Sequence, residues 1–236
     1  MLQLLSGCPV WEFKPRISFG DQPRLNAQKY GVNVPPGLPE ELPEPQFIEP
    51  ARMVSMLHEQ QSGAGKGLSV VHGLTVARDF AVTFQNPARQ WRKHLRGNGP
   101  PVWQFQGGVV YLDITLEIFV LQGDRPTAGE ALSGHLFATI FEHELLHVVD
   151  EIDIVRNFLP GRLIRDGKVR QYLVDAQPID DVTFRNWFLT TGFSNWLKGD
   201  WVDEHNRRQA IRDAPAEYAK LQRTIDDIRV QMTNRP

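Results

Sequence analysis

Residues 141 to 155 read FEHELLHVVDEIDIV. Two histidines, His143 and His147, stand four residues apart, and Glu144 directly follows the first. On a helix, residues at that spacing sit one turn above one another on a shared face, so the two imidazoles can converge on a single ion. Neutral imidazole is a borderline ligand that suits zinc. Two helical ligands and a third from elsewhere leave one coordination position for water, whose pKa zinc lowers toward about 7. Glu144 falls to one side of the pair. It can reach such a water without replacing a histidine, and it is the candidate general base, taking the water's proton and passing it to a leaving amine. The expected set is therefore His143 and His147 as metal ligands, Glu144 as the catalytic carboxylate, and one catalytic Zn2+ as cofactor.

Those side chains need a helix to carry them. From about Thr127 to Phe158, Phe137, Phe141, Leu145, Val148, Ile152, Val155 and Leu159 recur at steps of three and four, which predicts a helix with one buried stripe. The histidines lie off that stripe. Asp150 and Glu151 fall near their face, and two readings stand for them: accepting a proton from a ligand imidazole and fixing its tautomer, or lining a solvated helix flank. LPG at 159 to 161 is expected to end the helix, and His135 is read as structural. The preceding segment, GVVYLDITLEIFVL at 108 to 121, alternates Val110, Leu112, Ile114, Leu116, Ile118 and Val120 with a more polar set. Period two predicts a strand with one buried face, and this half-polar strand is a candidate to pair with an extended substrate.

Elsewhere the chain is organised as follows. Six prolines in residues 33 to 50 predict an extended surface arm or linker. PARMVSMLHEQQ predicts a helix opened by Pro50, with Met53, Met56 and Leu57 on its apolar face. SGAGKGLS at 62 to 69 is a flexible loop, lacking the spacing and hydroxyl of a phosphate-binding loop. LSVVHGLTVARDFAVTF reads as one or two strands. RQWRKHLRG at 89 to 97 reads as a solvated helix face, and RDGKVRQYLVDAQPIDD as a hairpin or loop. Two or three helices follow, broken near Gly199 and Pro215. The domain reading is an N-terminal arm over residues 1 to 49 and one domain over 50 to 236. Within that domain the sheet and motif helix occupy 50 to 160, and a helical part occupies 161 to 236.

The composition is that of an ordinary globular protein of 236 residues, 41% hydrophobic and 23% charged. A net charge of −2 leaves no global basic field, which argues against nucleic acid as the main partner. No run is long and apolar enough to span a membrane, so no membrane partner is expected. With Cys8 as the single cysteine no intrachain disulfide can form. The N-terminus lacks the basic start and apolar core of a signal peptide. The expected location is cytoplasmic, or export by a route without a classical signal.

The strand followed by a helix bearing HELLH resembles the zincin metallopeptidases over residues 108 to 158. The resemblance implies an α+β fold: a twisted sheet with an edge strand over the active-site helix, and a mostly helical C-terminal part. It implies peptide-bond hydrolysis, with a peptide or protein as substrate. In one subgroup the pattern continues H-E-x-x-H-x-x-G-x-x-H/D. Here Asp153 occupies the third-ligand position, but Asp150 stands where the turn-forming glycine belongs. The segment should stay helical and Asp153 should point away, and the only later methionine is Met232. Another branch takes its third ligand from a glutamate on a later helix, which points to Glu204 in KGDWVDEHNRRQA. There Asp200 or Asp203 could cap the helix and place Glu204 in its first turn. Glu217 competes, with Tyr218 beside it as a candidate oxyanion donor. Two other readings stand beside the peptidase: a zincin-fold binding module without hydrolysis, and the peptidase domain of a delivered toxin or effector, which would bring an inhibitor or immunity partner. The sequence is silent on oligomeric state.

Overall fold

The strand period and the helix period foreseen above both appear in the computed structural model, which describes residues 11–38, 42–60, 71–84, 90–95 and 97–234. The strands are β1 (Trp11–Ser18), β2 (Gln46–Ile48), β3 (Gly73–Phe84), β4 (Trp91–His94), β5 (Val102–Phe105), β6 (Gly108–Leu121) and β7 (Ile179–Asp180). The helices are α1 (Ala27–Tyr30), α2 (Pro50–Gln60), α3 (Ala131–Asp153), α4 (Leu159–Arg165), α5 (Gly167–Val169), α6 (Asp181–Phe184), α7 (Gly192–Arg212) and α8 (Pro215–Thr233). π-helical segments at Ile154–Phe158, Arg170–Val174 and Arg185–Leu189 join several of them. The chain is thus mixed α+β with a mostly helical C-terminal part. Among the described residues, no helix is long and apolar enough to cross a membrane.

β6 is the axis of a four-stranded sheet. It is bonded to β1, β2 and β3, and β2 runs parallel to it with Gln46 opposite Phe119 and Ile48 opposite Leu121. Its apolar set, Val110 through Val120 at every second residue, is 0 to 2% exposed. Its polar set is tied to its neighbours: Arg16 of β1 donates to Asp113 through Nε and Nη2 at 2.5 and 2.6 Å, and Arg78 of β3 lies 2.8 Å from Glu117. β6 is therefore a central strand, already paired with neighbours on both edges, rather than an open edge. The strand with one partner beside the motif helix is β3. β1 and β2 also come from residues 1 to 49, the segment read from sequence as an arm.

The chain divides into two compact units. One comprises Met1–Ser18, Asp79–Ile114 and Asp153–Glu204; the other comprises Phe19–Arg78, Thr115–Ile152 and His205–Pro236. In the first, β4, β5 and β7 form an antiparallel sheet with Trp91 opposite Phe105 and Val102 opposite Asp180. Its core is aromatic: Trp103 stacks on Phe184 at 4.4 Å, and Trp91 packs on Phe184 and Phe188 at 4.9 and 4.6 Å. RQWRKHLRG was read as a helix face, but Trp91–His94 is a strand. It buries Trp91 and leaves Arg92 and Lys93 exposed; the segment is short and shows no alternation, so its charges alone suggested a solvated face. RDGKVRQYLVDAQPIDD is largely helical, with Leu173 and Val174 buried.

The second unit carries the motif. α2 begins at Pro50 and buries Met53 and Met56 against Leu74, Val76 and Phe119. α3 buries Phe137, Phe141, Leu145 and Val148 completely and Ile152 nearly so. Phe137 stacks on Phe141 at 5.4 Å and meets the edge of Tyr30 at 5.2 Å. Past Asp153 the chain turns π-helical and then continues as α4, with Pro160 in its first turn. The Leu159 N–H still bonds Ile154 O and the backbone stays helical through Phe158 and Leu159, so LPG does not end the helical run. SGAGKGLS lies outside the described residues.

Candidate metal centre

FEHELLHVVDEIDIV is polar on one side because a second helix answers it. His143, His147 and Asp150 recur at i, i+4 and i+7 along α3, with Glu151 one turn beyond His147. The last two turns of α7 present His205, Arg208 and Arg212 at i, i+3 and i+7, followed by Asp213. The two stripes pair in antiparallel order. Glu151 bonds His205. Asp150 accepts from Arg212 Nε and Nη2 at 2.7 and 3.1 Å, and Arg208 stands 3.8 Å from the same carboxylate. Asp213 meets the two histidines.

That last contact defines the site. His143 Nε2 lies 3.2 Å from Asp213 Oδ1, His147 Nε2 lies 3.3 Å from the same oxygen, and the two Nε2 atoms are 3.2 Å apart. Among the described residues, these three form the one group of histidine, cysteine and carboxylate ligands close enough to hold a metal ion. The spacing suits a small tetrahedral ion. Ligand atoms about 2.0 to 2.1 Å from a tetrahedral zinc stand about 3.3 to 3.4 Å from one another, so the triangle matches one face of such a tetrahedron. The side chains are graded in exposure, 5% for His147, 16% for His143 and 30% for Asp213, which leaves the carboxylate as the most accessible ligand.

Burial works against the charge of Asp213, but the two imidazoles hold its carboxyl far below the usual carboxylate range. Burial likewise draws His147 down. Its bond to Asp213 and the charges of Glu144, Asp213 and Asp150 outweigh that, and the imidazole is held above its ordinary value. A cluster so disposed toward positive charge, with no cation of its own but protonated imidazole, is one that a divalent ion would satisfy.

Glu144 is fully enclosed. Its carboxylate lies against the start of β3, where Thr75 Oγ1 donates to Oε2 at 2.8 Å and also reaches the Glu144 carbonyl oxygen at 3.1 Å. Gly73 leaves room for it: a Cβ at that position would stand 2.6 Å from Oε1. Burial pushes the Glu144 carboxyl up, against the pull of both imidazoles and of the Thr75 hydroxyl. Tyr218, in the second turn of α8, presents its ring edge-on to His143 with 6.4 Å between centroids. Burial, then the charges of Glu144 and Asp213, raise its phenol well above the usual range, so it stays a proton donor at neutral pH.

The sequence-predicted residues therefore divide. His143, His147 and Glu144 lie together, and the third member of the group is Asp213 rather than Glu204. Glu204 is buried at 7% exposure in the middle of α7. The helix passes through Gly199 unbroken, since one helical glycine costs only about 1 kcal/mol, so Asp200 and Asp203 cap nothing and Glu204 opens no turn. Glu217 is exposed and paired with Lys220 at 2.6 Å. Asp153 accepts from Asn157 at 2.6 Å. Asp150 and Glu151 are buried rather than on a solvated flank, and they bond Arg212 and His205 of α7; His147 Nδ1 is buried with no hydrogen-bond partner. His135 is exposed. Comparison with protein-family models, with curated proteins and with solved structures gave no match.

Proposed function

We propose that this protein is a zinc-dependent metallopeptidase of zincin-like architecture that hydrolyses peptide bonds in a peptide or protein substrate. The observation that carries the reading is the juxtaposition of a three-ligand triangle with an enclosed carboxylate, Glu144, on the adjacent residue of the same helix. Two neutral nitrogens and one carboxylate oxygen are a donor set that zinc accepts. Zinc bound to His143, His147 and Asp213 would supply Lewis acidity, polarising a scissile carbonyl and making water acidic enough to attack at neutral pH.

The chain's own residues do the rest. Glu144 takes the proton of the attacking water and delivers it to the departing amine. Thr75 and Gly73 fix the carboxylate, the one by a hydrogen bond and the other by the space it leaves, so little reorganisation is needed at the moment of reaction. Tyr218 holds a proton beside the site and donates a hydrogen bond to the oxygen on which charge develops. The Gly73–Arg78 half of β3 carries no strand on its second edge among the described residues, so an extended peptide can add there by main-chain hydrogen bonds.

The test joins metal content to cleavage. The parent protein is expected to carry about one zinc per chain and to degrade an unfolded protein until chelator is added. His143→Ala, His147→Ala and Asp213→Ala should each lose most of the metal, whereas Glu204→Ala should keep it. Glu144→Gln should retain zinc and lose nearly all turnover, because the amide is almost isosteric and cannot accept the proton. Zinc binding without cleavage by the parent would make the chain a binding module, and a parent without zinc would overturn the site.

A further inference from the structure

The Asp150 carboxylate is a substantial charge to bury, at 9% exposure, in a stretch where it ligates nothing. A buried charge is retained only when paired and hydrogen-bonded. Asp150 is paired by a planar fork: Arg212 Nε donates to Oδ2 and Nη2 to Oδ1, the two-point geometry that a guanidinium offers and an ammonium does not. Arg208 backs the pair, with a further long contact from its Nη1 to the Asp150 carbonyl oxygen at 3.4 Å. The placement of the fork matters. Asp150 lies one turn from His147 on the ligand face of α3, and Arg212 is the last residue of α7. Asp213 comes next in the chain, its N–H still bonded to Gln209 O at 2.9 Å. The third member of the triangle thus sits one residue beyond a two-point anchor, and the anchor's other half is on the helix that supplies the first two members.

We propose that Asp150 is a positioning residue for metal binding, its forked ion pair with Arg212 holding the Asp213 carboxylate in register with His143 and His147. The inference rests on the metal-site reading above. It assigns to Asp150 neither ligation nor contact with a ligand imidazole. Its effect passes through Arg212 and the helix end, so the geometry of the fork matters as well as its charge. A general docking role for α7 would give a different pattern, since α7 is also tied by Arg162 to Asp200 at 2.9 Å, thirteen residues before Asp213.

The experiment is a cobalt and zinc titration of the parent, Asp150→Asn, Arg212→Lys, Arg162→Gln and His143→Ala, with thermal unfolding of each apo-protein measured alongside. Cobalt is used because its visible spectrum reports the geometry of the ligand set. Residues behind the ligands typically govern metal affinity by about 10- to 100-fold, and Asp150→Asn is expected to weaken both metals by about that much and to alter the cobalt bands. Arg212→Lys, which keeps the charge, a folded helix and a single bond, should lose several-fold in affinity. It also carries the test if Asp150→Asn does not fold. Arg162→Gln should bind as the parent does, whatever its unfolding temperature. Parental cobalt affinity in Asp150→Asn and Arg212→Lys, beside a His143→Ala that has lost it, would overturn the proposal and leave the metal site standing. Equal weakening by Arg162→Gln would also overturn it, in favour of general docking. A parent that takes up neither metal overturns the site and this inference together.

Discussion

Replacing Gly73 by alanine tests whether Glu144 works from where it lies. The backbone at Gly73 is not in the left-handed region, so alanine fits the main chain; the conflict is with one side chain. Its Cβ would stand 2.6 Å from Glu144 Oε1, 2.7 Å from Cγ and 2.9 Å from Cδ. Carbon and its non-bonded neighbours settle at about 3.5 to 4.0 Å, so the carboxylate must withdraw by roughly 1 Å and would strain or lose its bond from Thr75. A misplacement of about that size can cost roughly 100-fold in rate, equivalent to about 2.7 kcal/mol of barrier. Stability should change far less. Crowding a packed site costs about 1 to 3 kcal/mol, partly offset by the reduced freedom of an unfolded chain that has lost a glycine, about 0.4 to 1 kcal/mol. Zinc content should be parental, since no ligand moves. The assay is kcat/KM on an unfolded protein substrate, normalised to zinc, with a thermal melt of the same sample. A Gly73→Ala protein that keeps its zinc and cleaves at the parental rate would refute the placement of Glu144 as the base.

Two further outcomes are expected. Thr75→Val, which removes the hydroxyl while keeping the side chain's shape, should lower kcat by about tenfold, the lower end of what a bond to a charged group contributes, with KM little changed; Thr75→Ser should recover most of it, and equal rates for the two variants would sink the assignment. Asp124 is buried, and although burial opposes its charge, its bonds from His72 and Arg229 hold its pKa below the ordinary 3.8. Its folded value being the lower one, the stabilisation is complete above pH 3.8 and is lost as pH falls through the folded value, so urea unfolding should show the gap between parent and Asp124→Asn narrowing below about pH 4, and a gap constant from pH 6 to pH 3 would contradict the pairing.

The parts of the fold legible in the sequence are those with a period. The stripe from Phe137 to Leu159 and the alternation from Val110 to Val120 each describe a long element packed on one face, and burial follows them residue by residue. HELLH was legible because helical spacing alone brings its parts together. Asp213 was not, because IRDAPAEY looks like an ordinary helix stop before Pro215 and nothing local marks its aspartate. A signal was present at one remove: Asp150 continues the histidine stripe at i+7, and Arg208 and Arg212 offer it complementary charge from a later helix. Gly199 misled because a glycine weakens a helix without ending it, and dividing α7 there gave Glu204 a false first turn. Of the strands in the N-terminal segment, β2 escaped because it is three residues long and owes its place to β6 rather than to its own composition.

The third member of the metal triangle is encoded 66 residues after His147, at the joint between two late helices. A chain still emerging during synthesis holds the histidine pair and Glu144 long before it holds Asp213. Until α7 docks along α3, the pair is a two-point chelate, and the carboxylate that completes it has no fixed position. If the chain is the peptidase proposed above, hydrolytic competence would come only with the completed fold: a nascent or partly unfolded copy would carry the motif without the assembled centre.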